Sequence, residues 1–348
     1  VEKAEIFYAL VHVALETGET NGKGGLIVAN VSRETSNSSS EGIESASDVL
    51  RRIFGDSNSS VGSDLLDESN RLTKVSEATF PRPRNTRLIA VANQKGGVGK
   101  TTTTVNLASA FAEAGMNVLV LDMDPQGNAS TALGVQHPSG TPSIYDVIEG
   151  RKAIDEVVSV CPDFETLDVV PSTIDLSGAE LEIATLSNRT DLLKDAVETY
   201  LESTKKRYDY IFIDCAPSLG LLVLNALKLA KEILIPIQAE YYALEGLGQL
   251  LKTIQLVQSS FNPDLEISMM LVTMYDRRTM LSKEVYEEVQ RHYPHVLLNA
   301  TIPRAVRISE APSFAQSIIA YDPKSAGAIA YREAALEIAK RGAPLPRQ

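Results

Sequence analysis

The stretch Leu88–Thr104, L-I-A-V-A-N-Q-K-G-G-V-G-K-T-T-T-T, leaves little freedom in what this chain can fold into. Leu88 to Ala92 is an apolar run that suits a strand buried on both faces of a parallel sheet. Gly96, Gly97 and Gly99 then make a turn in which no Cβ keeps an anion from the backbone N–H groups. A helix is predicted from Thr102 to about Ala114, with its positive N-terminal end aimed at the same place. Lys100 adds a full positive charge, and Thr101 offers a hydroxyl to a divalent cation. Strand, glycine loop and helix in this order build a phosphate cradle. Its lining is Lys95, Gly96, Gly97, Val98, Gly99, Lys100, Thr101 and Thr102.

Apolar runs recur around this unit. Val118–Asp122, Leu167–Pro171, Tyr210–Asp214, Glu232–Ile237 and Ile267–Met274 read as further buried strands. Asp191–Thr204 and Leu244–Gln258 carry helical patterns between them. The alternation predicts an α/β fold, a doubly wound and mostly parallel sheet with helices on both faces. Ligands of such a sheet sit at the carboxyl ends of its strands. Two carboxylate motifs fall at those ends. One is Asp122-Met123-Asp124-Pro125-Gln126-Gly127-Asn128, directly after a strand. The other is the apolar strand Ile211-Phe212-Ile213 ending in Asp214, the arrangement that holds Mg²⁺ beside a phosphate cradle. Cys215 next to it reads as a small strand-end residue rather than a reactive thiol.

The usual G-x-x-x-x-G-K-[ST] spacing would put its first glycine at Gln94. A second lysine, Lys95, precedes the glycine pair instead, and DxDPQGN follows one strand later. In these residues the chain resembles the ParA/MinD group of deviant Walker A P-loop ATPases, and most of all the chromosomal ParA (Soj-type) partitioning ATPases. The likeness extends over about residues 86–342 and includes L-V-T-M-Y-D-R-R-T and I-P-R-A-V-R-I-S-E-A-P-S between Leu271 and Ser313. Glu240–Gly246 also matches, without an assigned role. The resemblance implies slow hydrolysis of ATP with Mg²⁺. Asp124 would orient the attacking water, and Thr101 and Asp214 would hold the metal. Lys95 would reach the partner's phosphates in an ATP-dependent homodimer, like an arginine finger in trans. It also implies non-specific binding of double-stranded DNA through Arg278 and Arg307, with Arg277, Arg304 and Lys324 as neighbours, and hydrolysis stimulated by a ParB-type partner. ATP is implied over GTP, since Thr273-Met274-Tyr275-Asp276 stands where guanine selection needs N-K-x-D.

Three other readings share parts of this pattern. A MinD-like ATPase that positions a membrane or protein cargo shares Lys95, Asp124 and Asp214, yet Tyr331 to Gln348 carries no amphipathic anchor. An electron-transfer ATPase of the nitrogenase iron-protein kind needs cluster-ligating cysteines, and Cys161 and Cys215 are not placed for that. An inactive scaffold is opposed by the presence of Lys100, Thr101, Asp124 and Asp214 together.

Composition bounds the rest. The net charge of −12 argues against coating nucleic acid through overall charge, but residues 301–348 carry 7 basic and 4 acidic side chains, a local positive excess. Two cysteines make no disulfide framework, and a reducing, cytoplasmic, nucleoid-associated setting is expected, with membrane association unlikely for want of an 18-residue apolar run. Residues 1–84 differ in kind. They are Ser-, Asn- and Glu-rich with net charge −4, and read as an extension without a core of its own, ending in the extended linker Pro81-Arg82-Pro83-Arg84. Residues 85–348 read as the ATPase domain. Within the extension, Asp48–Phe54 is a short amphipathic pattern, either a surface-binding helix or a transient one.

Overall fold

Alternate residues of each central strand face opposite layers, and both layers are apolar. On the first strand, Leu88 and Ala90 join one core while Ile89 and Val91 join the other. On the strand beside it, Ile211 and Ile213 face the first core, Tyr210 and Phe212 the second. A sheet with two apolar faces must be covered twice, which is what the alternation of strands and helices achieves. The computed structural model describes residues 60–218, 220–240 and 243–342.

In chain order the strands are β1 (Arg87–Val91), β2 (Val118–Met123), β3 (Ser159–Val160), β4 (Leu167–Val170), β5 (Tyr210–Cys215), β6 (Glu232–Gln238), β7 (Glu266–Tyr275) and β8 (Leu297–Pro303). They form one sheet in the order β3-β4-β2-β5-β1-β6-β7-β8. Every pairing is parallel except the short antiparallel contact of β3 with β4. β1 is central, flanked by β5 and β6, so the chain leaves it toward both edges and a crevice opens at its carboxyl end. The register aligns Val91 with Asp214 and Asp122 with Asp214. Three strand ends therefore meet at the loop that follows β1.

The helices are α1 (Ser60–Ser76), α2 (Lys100–Glu113), α3 (Asn128–Ala132), α4 (Ile144–Ile148), α5 (Leu176–Ile183), α6 (Leu192–Ser203), α7 (Leu221–Leu229), α8 (Ala243–Ser260), α9 (Met280–His292), α10 (Val306–Glu310), α11 (Ile318–Tyr321) and α12 (Ala326–Arg341). α2 and α12 lie on the face that carries Phe111, Tyr210 and Phe212, and Phe111 stacks on Tyr210 at 3.9 Å between ring centroids. α6, α7 and α8 cover the other face.

The doubly wound fold and its six expected strands are observed. Two strands and three long helices add to them: β3, β8, α1, α9 and α12. α1 lies inside the stretch read as an extension without its own core. Val75 is buried, and Arg71 makes a bidentate pair with Glu333 of α12 at 2.9 and 2.6 Å. The linker after it is also held, since Arg82 pairs with Asp209 and the Arg207 guanidinium donates to the carbonyls of Pro83 and Arg84. The compact body thus reaches back to Ser63 rather than starting at residue 85. Asp48–Phe54 lies outside the described residues.

Candidate phosphate-binding site

The loop between β1 and α2 owes its shape to two left-handed glycines, Gly97 at φ 75° and Gly99 at φ 87°. A side chain is strained in that region. Gly99 is also the residue from which α2 starts, so the first N–H groups of the helix face into the loop. Asn93 braces the loop base. Its Nδ2 donates to Pro236 O on β6 at 2.8 Å, and its Oδ1 accepts from Lys95 N at 3.0 Å. From β7, Thr273 Oγ1 donates to Val98 O at 2.9 Å. The loop is thereby tied to both strands on that side.

Lys100 turns its ammonium back over the loop, 3.2 Å from Lys95 O. It is only 8% exposed, and burial lowers its pKa. Among the described residues this buried cation has one hydrogen-bond acceptor, the Lys95 carbonyl, and is poised for an anion. Thr101 Oγ1 donates to Asp214 Oδ2 at 2.7 Å, and Thr104 Oγ1 donates to Asp214 Oδ1 at 3.0 Å. Asp214 and Asp122 are both fully buried on adjacent strands. Burial raises both carboxyls well above the ordinary range, and the neighbouring Asp122 adds to the shift of Asp214. Two buried carboxylates beside one buried lysine favour a further cation. Thr101 and Asp214 fit Mg²⁺, which takes few protein ligands and keeps several waters. Among the described residues no group of three or more His, Cys, Asp or Glu side chains converges as a self-sufficient metal site.

Asp122 is built into the strand end. Its Oδ2 accepts from Ser130 N and Ser130 Oγ at 2.9 and 2.7 Å, and its Oδ1 accepts from Asp124 N at 3.2 Å. These bonds fold the segment after β2 back toward the glycine loop. Asp124 is 8% exposed and its Oδ1 accepts from Gln126 N at 3.0 Å. Gly127 follows at φ 62°, where a Cβ would lie 2.5 Å from His137 Cε1 and 3.0 Å from Ser172 O. Glycine is required there on both counts.

Lys95 reaches sideways. Its Nζ lies 3.2 Å from Glu240 Oε2, and both side chains are more than a third exposed. Glu240 is held in turn by Gln238 Nε2 at 2.5 Å. Gly96 and Gly97 have open space where a Cβ would be. Cys215 is buried and its thiol pKa is pushed up by burial, in keeping with a packing role.

Sequence reasoning named Lys95, Lys100, Thr101, Asp124 and Asp214; the strand ends bring the last four together, while the Lys95 side chain turns to Glu240. It passed over Asp122, Thr104 and Thr273 as site residues. Spacing could have found the first two. Asp122 lies two residues from Asp124 at a strand end, and Thr104 one helical turn from Thr101. Glu240 belongs to the matching run Glu240–Gly246, to which the sequence alone assigns no role, and Thr273 has no local signal.

Arg277, Arg278 and Arg304 line one groove, and Arg307 stands on a separate element. Arg277 and Arg278 follow β7, Arg304 follows β8, and Arg304 N donates to Tyr275 O at 3.3 Å. Arg278 is 88% exposed by side chain and paired with Asp276, whose carboxyl its guanidinium holds at about 2. Arg307 on α10 stands over the Tyr321 ring at 5.7 Å, with Glu310 at 3.6 Å and Asp322 at 3.7 Å. Lys324 lines a separate groove with Glu113 and Arg332.

Comparison with known proteins decides what kind of cradle this is. A family model described as an AAA domain matches residues 86–267. The chain is 48% identical over 256 residues to the sporulation initiation inhibitor protein Soj of Bacillus subtilis, covering 74% of this chain and 99% of that protein. It is 47% identical over 258 residues to the chromosome partitioning protein ParA of Myxococcus xanthus, covering 74% of this chain and 89% of that one. This chain belongs to the ParA/Soj family of chromosome-partitioning ATPases. The resemblance read from Lys95 and DxDPQGN therefore holds, as does the fold class. Two solved structures are similar to this ParA/Soj-family chain. One is a Mycobacterium smegmatis protein described as cobyrinic acid a,c-diamide synthase, solved with bound ATP analog and magnesium. It has a TM-score of 0.61 at 39% identity, covering 72% of this chain and 93% of that one. The other is the Pyrococcus furiosus cell division ATPase MinD, with a TM-score of 0.59 at 28% identity, covering 73% and 99%. Among the described residues of this ParA/Soj-family chain, no helix is long and apolar enough to cross a membrane.

Proposed function

We propose that the chain is an ATP-driven switch for partitioning DNA, and that its two nucleotide states differ in dimerisation and in grip on double-stranded DNA. The observation that carries this reading is the pair of lysines on one glycine loop: Lys100 turned over the loop and Lys95 turned away from it. One lysine suffices to hold the phosphates of a bound ATP. The second is free to serve phosphates bound elsewhere, as in a dimer that sandwiches two nucleotides.

The geometry is compatible with a division of labour among these residues. The loop N–H groups and Lys100 bind the phosphates. Thr101 and Asp214 hold Mg²⁺, which neutralises phosphate charge when bound. Asp124, nearly buried and steadied by Asp122 through its own N–H, orients the attacking water. Lys95 leaves Glu240 to approach the partner's phosphates as the homodimer closes. Arg278 and Arg307 bind duplex phosphates without reading bases, and two copies in a dimer double the contact. A ParB-type partner then stimulates hydrolysis and resets the switch, so the chain is nucleoid-associated in its ATP state.

The test is fluorescence anisotropy with a random-sequence duplex at fixed moderate salt, with ATP or ADP, for the native chain and Arg307→Glu. Binding that requires ATP and is lost in Arg307→Glu supports the switch. Dimerisation without DNA binding in either nucleotide would transfer the reading to a MinD-like ATPase with a membrane or protein cargo.

A further inference from the structure

Helix α1 stands across a groove from the arginines. Asp67 and Glu68 form one wall, and Arg277, Arg278 and Arg304 form the other, around a cavity of about 460 Å³. Asp67 and Glu68 precede Arg71 by four and three residues, so all three lie on one side of the helix. Arg71 is the anchor. Its bidentate pair with Glu333 fixes that side against α12, and Val75 one turn later is buried. The two carboxylates are thereby held beside the basic wall.

Charge in the groove is nearly balanced. Four arginines and three carboxylates line it. Arg71 is committed to Glu333, with Asp67 and Glu68 adding to the field on it, and Arg278 is committed to Asp276, while Arg277 and Arg304 make no ion pair among the described residues and share the groove with Asp67 and Glu68. A face meant for phosphates gains affinity from unopposed positive charge. Carboxylates at its rim repel the duplex at the distances where screening is incomplete.

We propose that α1 is an intramolecular competitor of duplex DNA at the arginine face. It acts through Asp67 and Glu68, and holds the DNA affinity of this chain below what its arginines alone would give. This rests on the reading of Arg278 and Arg307 as DNA ligands. α1 lies before the residues that match the AAA-domain model, so the device is an addition to the core rather than a part of it.

The experiment uses the full chain with ATP and a random-sequence duplex at fixed salt. Asp67→Asn with Glu68→Gln is expected to lower the Kd about three- to tenfold, with hydrolysis in the absence of DNA unchanged. A second double variant, Asp195→Asn with Glu198→Gln at exposed positions of α6, removes the same charge away from the groove and is expected to leave the Kd within about twofold. An unchanged Kd in the α1 variant, while Arg278→Glu abolishes binding, would overturn the competitor and leave the DNA face standing. Equal tightening in both double variants would also overturn it, by reducing the effect to net charge. If the native chain and the α1 variant both fail to bind DNA while hydrolysing ATP, the DNA reading itself falls and takes this proposal with it.

Discussion

Lys95 Nζ stands 3.2 Å from Glu240 Oε2 within the same chain, across 145 positions of sequence. The lysine that would serve a partner's phosphates is therefore engaged in its own subunit. The pair is exposed and weak, worth at most about 1 kcal/mol, so nucleotide phosphates in a closing dimer compete with it easily. Lys95→Gln is expected to bind ATP within about twofold of the native chain while turnover falls on the order of 10³-fold, as for a lost arginine finger. Single-turnover phosphate release beside ATP titration checks this. Native turnover in Lys95→Gln would remove Lys95 from the chemistry.

Asp214 is buried ionisable charge, and the sign of its pH effect is fixed by that. Its folded-state pKa is raised, to about 8, above the ordinary carboxylate value. Ionising it in the folded, nucleotide-free chain therefore opposes folding. The penalty is present above that value and fades as pH falls below it. Asp214→Asn is expected to stabilise the nucleotide-free chain by on the order of 1–3 kcal/mol at about pH 8.5, and by about half as much at about pH 6. The same variant should lose Mg²⁺-dependent ATP binding. Thermal melts at both pH values decide the point, and a gain that grows on acidification would contradict the burial argument.

Gly96 has open space around the position a Cβ would take, and its φ is not left-handed. Gly96→Val is expected to fold with a melting temperature within a few degrees of native and to bind ATP. If that space receives the second subunit, the variant stays monomeric with ATP when followed by light scattering. A dimer of Gly96→Val would place the interface elsewhere.

Gly127 is the opposite case. Its φ of 62° and the contacts a Cβ would make with His137 and Ser172 leave no room. Gly127→Ala is expected to destabilise the chain by about 1–3 kcal/mol and to reduce turnover through displacement of Asp124. Denaturant unfolding with a parallel hydrolysis assay tests both. His137→Ala in the same background should recover part of the stability, because it removes one of the two obstructing groups.

What was legible in the sequence is what short-range pattern encodes. The central strands are uninterrupted apolar runs, and the glycine loop announces itself through residues that only one backbone path explains. β8 escaped because it is an edge strand. It reads L-L-N-A-T-I-P, with Asn299 exposed and register shifts against β7. α12 escaped for another reason. Six of its sixteen residues are alanines and it is buried on most sides, so no polar face alternates with an apolar one. α1 looks like solvated chain until Arg71 finds Glu333, 262 residues away. The same limit applies at the site. Asp124 and Asp214 could be named because each ends a strand, whereas Glu240 and Thr273 enter through contacts that only the closed sheet creates.

The bond from Thr273 Oγ1 to Val98 O joins the phosphate loop to β7, and Arg278 follows five residues on, just past the end of that strand. Met274 between them has φ 52°, which fixes the direction in which the chain leaves the sheet. With Arg278 as the proposed DNA ligand, sensor and grip would be successive stations on one short path. Coupling along such a path is reciprocal by thermodynamic necessity. Whatever factor ATP adds to the affinity for DNA, DNA returns to the affinity for ATP. A molecule seated on the nucleoid would then bind its nucleotide more tightly than one in free solution, and the nucleoid itself would act as a reservoir of the ATP-bound form.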